Sequence, residues 1–268
     1  MVIELDDVTA RLAGAGFIAA GEEAEELLEC SGGDDLVLAS MIERRLRGEP
    51  LAWITGFAMF CGSKIRVDRG VYVPRWQSEP LARRAATRLS AQGMAIDLCT
   101  GSGAIAKTLQ LLRPGARIVA SDLDDRAVHC ADSNGVEVYG GDLFAPLPRD
   151  LEGTVDVVVG VVPYVPTRSL PLLPRDTTVF ESTLSYDGGE DGVRILRRVV
   201  RESGRFLRPG GALLIELGGD EVELLQDDLT GQQFTDVETL FDDDGDVRGL
   251  EATFNKQLDG QKMARIGR

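Results

Sequence analysis

From residue 94 to residue 255, apolar runs of strand length alternate with stretches of helical spacing, and that alternation leaves few folds open. Strands are expected at 94–98, 117–121, 136–139, 155–160, 211–217, 234–241 and 248–255, with helices at 103–112, 124–133, 190–206 and 220–229. A chain that repeats strand, helix, strand builds a parallel sheet covered on both faces, with right-handed crossovers. The last two strands follow one another through Asp242-Asp243-Asp244-Gly245-Asp246, a hairpin-like turn that predicts an antiparallel strand at the end of the sheet. The expected fold class is therefore α/β, a doubly wound, Rossmann-like sheet.

Within that pattern one stretch points to a ligand. Ala95-Ile96-Asp97-Leu98-Cys99-Thr100-Gly101-Ser102-Gly103-Ala104-Ile105 reads as a strand end, a glycine turn and a first helical turn. Glycines let a backbone approach a ligand where a Cβ would clash. Asp122 follows Gly101 at about the twenty-residue spacing used to hold a ribose hydroxyl in nucleotide-binding α/β units. Asp122 and Asp142 both stand just past apolar strands, where such sheets bind ligands, although a solvated loop or a helix cap would account for either acid as well.

The first part of the chain differs. In residues 1–48, Leu27 and Leu28, then Leu36, Val37, Met41, Ile42 and Leu46, recur at helical spacing. Gly32-Gly33-Asp34-Asp35 separates two of these helices and offers an N-cap. Residues 49–75 change character: Phe57–Phe60 and Lys64–Val67 read as a hairpin around Gly62-Ser63, Pro74-Arg75 ends an extended segment, and Trp76–Leu89 reads as a helix. The expected organisation is a helical domain at 1–48, a β-hairpin linker at 49–75 and a ligand-binding domain at 76–268.

Composition narrows the function. The net charge of −15 opposes binding by phosphate neutralisation, so nucleic acid is not expected as a partner; it suits a cationic substrate, or serves solubility alone. Cys30, Cys61, Cys99 and Cys130 lie far apart with no C-x-x-C pair, which predicts reduced, packed thiols in a cytoplasmic protein and no metal site. The only histidine, His129, falls on an expected helix, which disfavours a histidine-based triad. No apolar run approaches a membrane span, and the acidic N-terminus shows no signal peptide.

Asp97-Leu98-Cys99-Thr100-Gly101-Ser102-Gly103 resembles the first motif of class I S-adenosylmethionine-dependent methyltransferases. More narrowly, the chain from about Glu49 onward resembles the HemK/PrmC family, which methylates a glutamine side-chain amide in peptide release factors. The match runs through Glu49–Gly56, Val73-Pro74-Arg75, Gly141-Asp142-Leu143-Phe144, Pro163-Tyr164-Val165-Pro166, Asp187–Gly192, Leu207–Gly211, Glu216-Leu217-Gly218 and Asp246-Val247-Arg248. The resemblance implies S-adenosylmethionine as cofactor, S-adenosylhomocysteine as product, and no metal. It places Thr100, Gly101 and Gly103 by the methionine part. Asp97 would orient the loop or meet the amino group through water. Asp122 and Leu123 fall at the ribose, Asp142 at the adenine amine, and the Leu143 N–H at a ring nitrogen.

The departure lies at the acceptor. The family reads Asn-Pro-Pro-Tyr after its fourth strand; this chain reads Val161-Val162-Pro163-Tyr164. In the family the asparagine oxygen accepts one hydrogen bond from the substrate –NH2 and the next residue's carbonyl accepts another. Valine accepts none, and an unpaired buried donor costs roughly 1–3 kcal/mol. Glu181 and Glu79, which align with family acids, would suit a guanidinium better than a neutral amide. Tyr164 would stack on it beside Pro163, the Val162 carbonyl would take one N–H, Glu181 would take the departing proton, and Trp76 would wall the pocket or belong to the core. The sequence therefore favours N-methylation of a planar nitrogen in a small cationic guanidine such as arginine. A release factor glutamine is the alternative, and a non-catalytic cofactor-binding relic the third reading.

Overall fold

The computed structural model of the protein describes residues 3–219 and 221–255. Residues 1–2, 220 and 256–268, which fall in the expected helical stretch, the helix at 220–229 and the ligand-binding stretch, lie outside the described residues. The elements in chain order begin with α1 (Leu5–Gly14), α2 (Ala20–Ser31), α3 (Asp35–Leu46) and α4 (Leu51–Thr55). The hairpin β1 (Phe57–Phe60) and β2 (Ser63–Arg66) and helix α5 (Glu79–Arg88) follow. Then come β3 (Met94–Leu98), α6 (Ala104–Leu112), β4 (Arg117–Asp122), α7 (Asp125–Ser133), β5 (Glu137–Gly140) and β6 (Val155–Gly160). An insertion carries β7 (Val165–Pro166), α8 (Arg175–Phe180) and β8 (Asp187–Gly189). The chain then runs through α9 (Arg194–Phe206), β9 (Leu207–Glu216), α10 (Glu221–Gly231), β10 (Phe234–Phe241) and β11 (Val247–Phe254).

Seven strands form one sheet in the order β10-β11-β9-β6-β3-β4-β5. β5, β4, β3, β6 and β9 are parallel, and β11 is antiparallel to both β9 and β10. The central strands are buried on both faces, as parallel strands must be. Period-two geometry sends Ile96 and Val158 into one core with α9 and α10, and Ala95, Val157 and Val159 into another with α5 and α6. The chain leaves β3 for β4 on one side and later returns to place β6 on the other. The carboxyl ends of β3 and β6 therefore flank the switch point where such sheets bind ligands.

The N-terminal helices have an apolar cluster of their own, including Val8, Leu12, Leu27, Leu38 and Ile42. Gly32 ends α2 in the left-handed conformation, and the Asp34 carboxylate caps α3 by accepting from the Leu36 and Val37 N–H groups.

Several segments differ from the sequence expectation: the strand expected at 211–217 is β9, Leu207–Glu216, and β7, α8 and β8 are not among the expected elements. Within the expected hairpin linker, Leu51–Thr55 is a one-turn helix between Pro50 and the left-handed Gly56. Five residues are too few to show a helical period. The helix buries Trp53, whose indole N–H donates to the Val71 carbonyl at 2.9 Å. The helix expected from residue 190 begins at Arg194, because Asp187–Gly189 pairs as β8 with β7 and Gly192 takes a left-handed turn. In that pairing a Cβ on Gly188 would stand 2.8 Å from the Tyr164 Cα, so the glycine is required by packing.

Candidate active site

A cavity of about 370 Å3 opens at the carboxyl ends of β3, β4 and β6. Asp97, Cys99, Thr100, Gly101, Asp122, Leu123, Asp142 and Leu143 line one end, Pro74, Arg75, Val161, Pro163 and Leu184 are among those that line the other, and Tyr72 lies against the glycine turn.

Asp97 closes β3. Its Oδ2 accepts from the Thr100 hydroxyl at 2.6 Å and from the Ala106 N–H at 3.0 Å, which fastens the glycine turn to the first turn of α6. Its Oδ1 is buried and has no hydrogen-bond partner. Burial pushes this carboxyl up to about 7, against the pull of the Thr100 and Ala106 donors. An orphaned carboxylate oxygen on a cavity wall is a place for an ammonium group.

Asp122 closes β4. One oxygen accepts from the Gly101 N–H at 2.8 Å and the other from the Asp124 N–H at 2.9 Å. Each carboxylate oxygen has a second lone pair, so both can still accept from a pair of hydroxyls. Burial raises this carboxyl despite the two backbone donors. Leu123 next to it lays an apolar side chain on the cavity wall that is 61% exposed in the protein alone. Asp142 is held bidentately by Arg198, at 3.1 and 2.9 Å. Leu143 takes a left-handed turn pinned by the Ser121 hydroxyl, which donates to its carbonyl at 2.7 Å.

Gly103 also answers to packing. A Cβ there would lie 2.9 Å from Val136 and 3.2 Å from Ala131, so this glycine serves the close packing of α6 on α7. Gly101, with φ +58°, has open space toward the cavity and the nearest wall at Tyr72, 3.9 Å away.

After β6, alternation sorts the acceptor turn. Val161 and Pro163 face the cavity, whereas Val162 is 1% exposed in the core and the Tyr164 ring packs on the same core. The Tyr164 hydroxyl donates to Glu216 at 3.3 Å, so its ring does not form the stacking surface expected for a guanidinium. Glu181 is also committed within the protein. One oxygen accepts from the Val73 N–H at 2.9 Å, and the other from Arg75 at 2.6 Å and from the Tyr186 hydroxyl. Glu79 accepts from the Cys61 N–H at 2.8 Å and from Arg83 at 3.2 Å. Neither acid lines the cavity, so the two carboxylates that suggested a guanidinium acceptor are spent on internal partners. Trp76 is 69% exposed and neither walls the cavity nor joins the core.

Several residues of this site were not singled out from the sequence. Tyr72 and Tyr186 pack edge to face at 5.7 Å, and Arg75 lies over Tyr72. Glu216, at the end of β9, accepts from Ser78 at 2.5 Å and from Tyr164, and burial raises its carboxyl. The rule that picked out Asp122 and Asp142, an acid just past an apolar strand, applies to Glu216 as well. Among the described residues no cluster of histidine, cysteine and carboxylate side chains is placed to hold a metal ion, and no helix is long and apolar enough to cross a membrane.

No protein-family model matches the chain. Over 227 residues it is 31% identical to the release factor glutamine methyltransferase of Geobacter sulfurreducens, covering 82% of this chain and 76% of that protein. Over 240 residues it is 33% identical to the 4-amino-L-phenylalanine/4-methylamino-L-phenylalanine methyltransferase of Streptomyces pristinaespiralis, covering 80% and 82%. Among solved structures, a methyltransferase from Pyrococcus furiosus superposes with a TM-score of 0.53 at 17% identity, over 81% of this chain and all of that one; this likeness is one of fold.

Proposed function

The chain belongs to the HemK/PrmC-like family of class I S-adenosylmethionine-dependent N-methyltransferases, and from that premise we propose that its acceptor is the side-chain amide of a glutamine in a peptide release factor. The observation that carries this reading is the shared cavity: the turn Val161-Val162-Pro163-Tyr164 opens onto the same space as the Asp97, Asp122 and Asp142 cradle. The cradle's chemistry fits the cofactor. The unpaired Oδ1 of Asp97 would accept from the amino group, Asp122 from the two ribose hydroxyls, and Asp142, steadied by Arg198, from the adenine amine. Thr100 and the Gly101 turn hold the loop to which the methionine part lies closest, Leu123 covers the ribose, and the Leu143 N–H meets the ring. When bound, S-adenosylmethionine supplies an electrophilic methyl group on a sulfonium.

The chain's own contribution at the other end is orientation. The Val162 carbonyl accepts one amide N–H, Pro163 restricts the turn, and Tyr164 holds the turn to Glu216 from behind. Val161 adds shape but no acceptor, so one amide N–H lacks the partner that an asparagine would supply. The four free cysteines suit the reducing cytoplasm.

A second reading rests on Val161 itself. An apolar wall where an acceptor would stand suits an amine attached to an aromatic ring, and one relative is described as acting on 4-amino-L-phenylalanine. Incubation with labelled cofactor decides between them. Transfer to a release factor supports the glutamine reading, and transfer only to a free aromatic amine replaces it. Transfer to arginine would mean that Glu181 leaves Arg75 on substrate binding. Cofactor binding without transfer to any of these would leave the protein as a relic.

A further inference from the structure

Five arginines and two acids line a groove of about 680 Å3 beside the cofactor cavity: Arg194, Arg197, Arg198 and Arg201 on α9, Arg168 from the 3-10 turn that faces it, and Glu190 and Asp191 ahead of α9, so the lining is basic on balance. Three of the arginines have carboxylate partners. Arg197 pairs with Asp191 and Asp228, Arg198 with Asp142 and Glu202, and Arg201 with Asp228. Arg168 and Arg194 have no ion pair among the described residues, and both are exposed. In a chain with 44 acidic and 29 basic side chains, two guanidinium groups without an ion pair meet on one groove. The groove also adjoins the cofactor cavity, because Arg194 and Arg198 line both.

We propose that this groove docks an acidic segment of the protein that carries the acceptor glutamine; the inference rests on the glutamine reading. Planar guanidinium groups hold carboxylates bidentately, and arginine clusters are a recurring means of reading acidic motifs. A nucleic acid is the poorer occupant. Its charge extends beyond the groove, where the −15 protein repels it, whereas a short acidic peptide lies within a Debye length (~8 Å at physiological salt) of the arginines. Docking at the groove also places part of the recognition energy away from the acceptor turn, where Val161 has removed a contact.

The test is fluorescence anisotropy of a labelled octaglutamate peptide with the full-length protein at low and high salt. Binding is expected at low salt, weakened at least tenfold in R168A/R194A, largely kept in R168K/R194K, and lost at high salt. An unchanged melting temperature and far-ultraviolet circular dichroism spectrum in both variants show that the fold persists. No binding by the wild type, or equal binding by R168A/R194A, overturns the proposal; so does tighter binding of an oligonucleotide of equal charge. An activity assay separates the two levels. If the wild type methylates a release factor and R168E leaves KM unchanged, the groove fails and the glutamine reading stands. If the peptide binds through the arginines but no release factor is methylated, the groove stands as an acidic-peptide site and the glutamine reading fails.

Discussion

The two ends of the cavity use their polar side chains in opposite ways. At the β3–β4–β5 end, Asp97 keeps a buried oxygen unpaired and Asp122 keeps lone pairs facing the cavity. At the β6 end, Glu181, Arg75 and Tyr186 satisfy one another, as do Glu216, Ser78 and Tyr164, and the cavity receives Val161 and Pro163 beside the already paired Arg75 and Ser78. One end is prepared for a ligand of fixed polarity. The other is internally complete and offers chiefly shape. Cofactor recognition should therefore depend on single polar atoms, and acceptor recognition on the turn's backbone and outline.

The largest expected effect tests whether the acceptor end is as self-contained as its geometry. Glu181→Ala leaves Arg75 without its buried partner, and such a loss costs about 3 kcal/mol, or roughly 6–12 °C in a thermal melt. If the variant instead melts like the wild type and loses only activity, Glu181 serves the substrate and the contrast collapses.

Next is Asp97→Asn, which should weaken cofactor binding by about 10–100-fold in calorimetry, the weight of one charged hydrogen bond, with little change in the melting of the apoprotein. The same carboxyl predicts a pH dependence. Its folded value near 7 lies above the unfolded value, so the folded apoprotein holds the proton between about 4 and 7 and its stability falls as pH rises through that window. An ammonium ligand favours the ionised form. Cofactor affinity should thus rise toward pH 7 by up to about tenfold per unit and then level off, with proton release visible in buffers of different ionisation enthalpy. Flat affinity from pH 5.5 to 8 would remove Asp97 from the ammonium.

Val161→Asn restores an acceptor at the turn and should raise kcat/KM for a glutamine substrate about tenfold, the order of one hydrogen bond. A fall would favour the aromatic amine. The smallest effect is expected for Trp76→Ala, under about twofold on any kinetic constant, because its ring stands in solvent outside the cavity.

The cofactor end was the legible one, because its signals are local. Asp97, Thr100 and Gly101 lie within one turn, and Asp122 and Asp142 each follow a strand whose apolar run announces it. The strand ranges were legible for the same reason. The acceptor end was not, since its decisive pairs join distant parts of the chain: Glu181 meets Val73 and Arg75 more than a hundred residues away, and Ser78 meets Glu216 across an even longer interval. A lone carboxylate in a sequence does not show whether it faces a substrate or a buried arginine. Gly103 carries a related lesson, because the packing demand on a glycine within a ligand motif, set by Val136 and Ala131, shows only in the folded chain.

The alternation along Val161-Val162-Pro163-Tyr164 has an evolutionary consequence. Positions 162 and 164 are tied to the α9–α10 core, whereas 161 and 163 meet the cavity and Val161 also packs against the α5–α6 core, so inherited variation in acceptor chemistry can accumulate at two side chains within the shapes that this second core accepts. A gene duplicate could drift from one nitrogen nucleophile toward another through Val161 alone, with the cofactor cradle carried along unchanged.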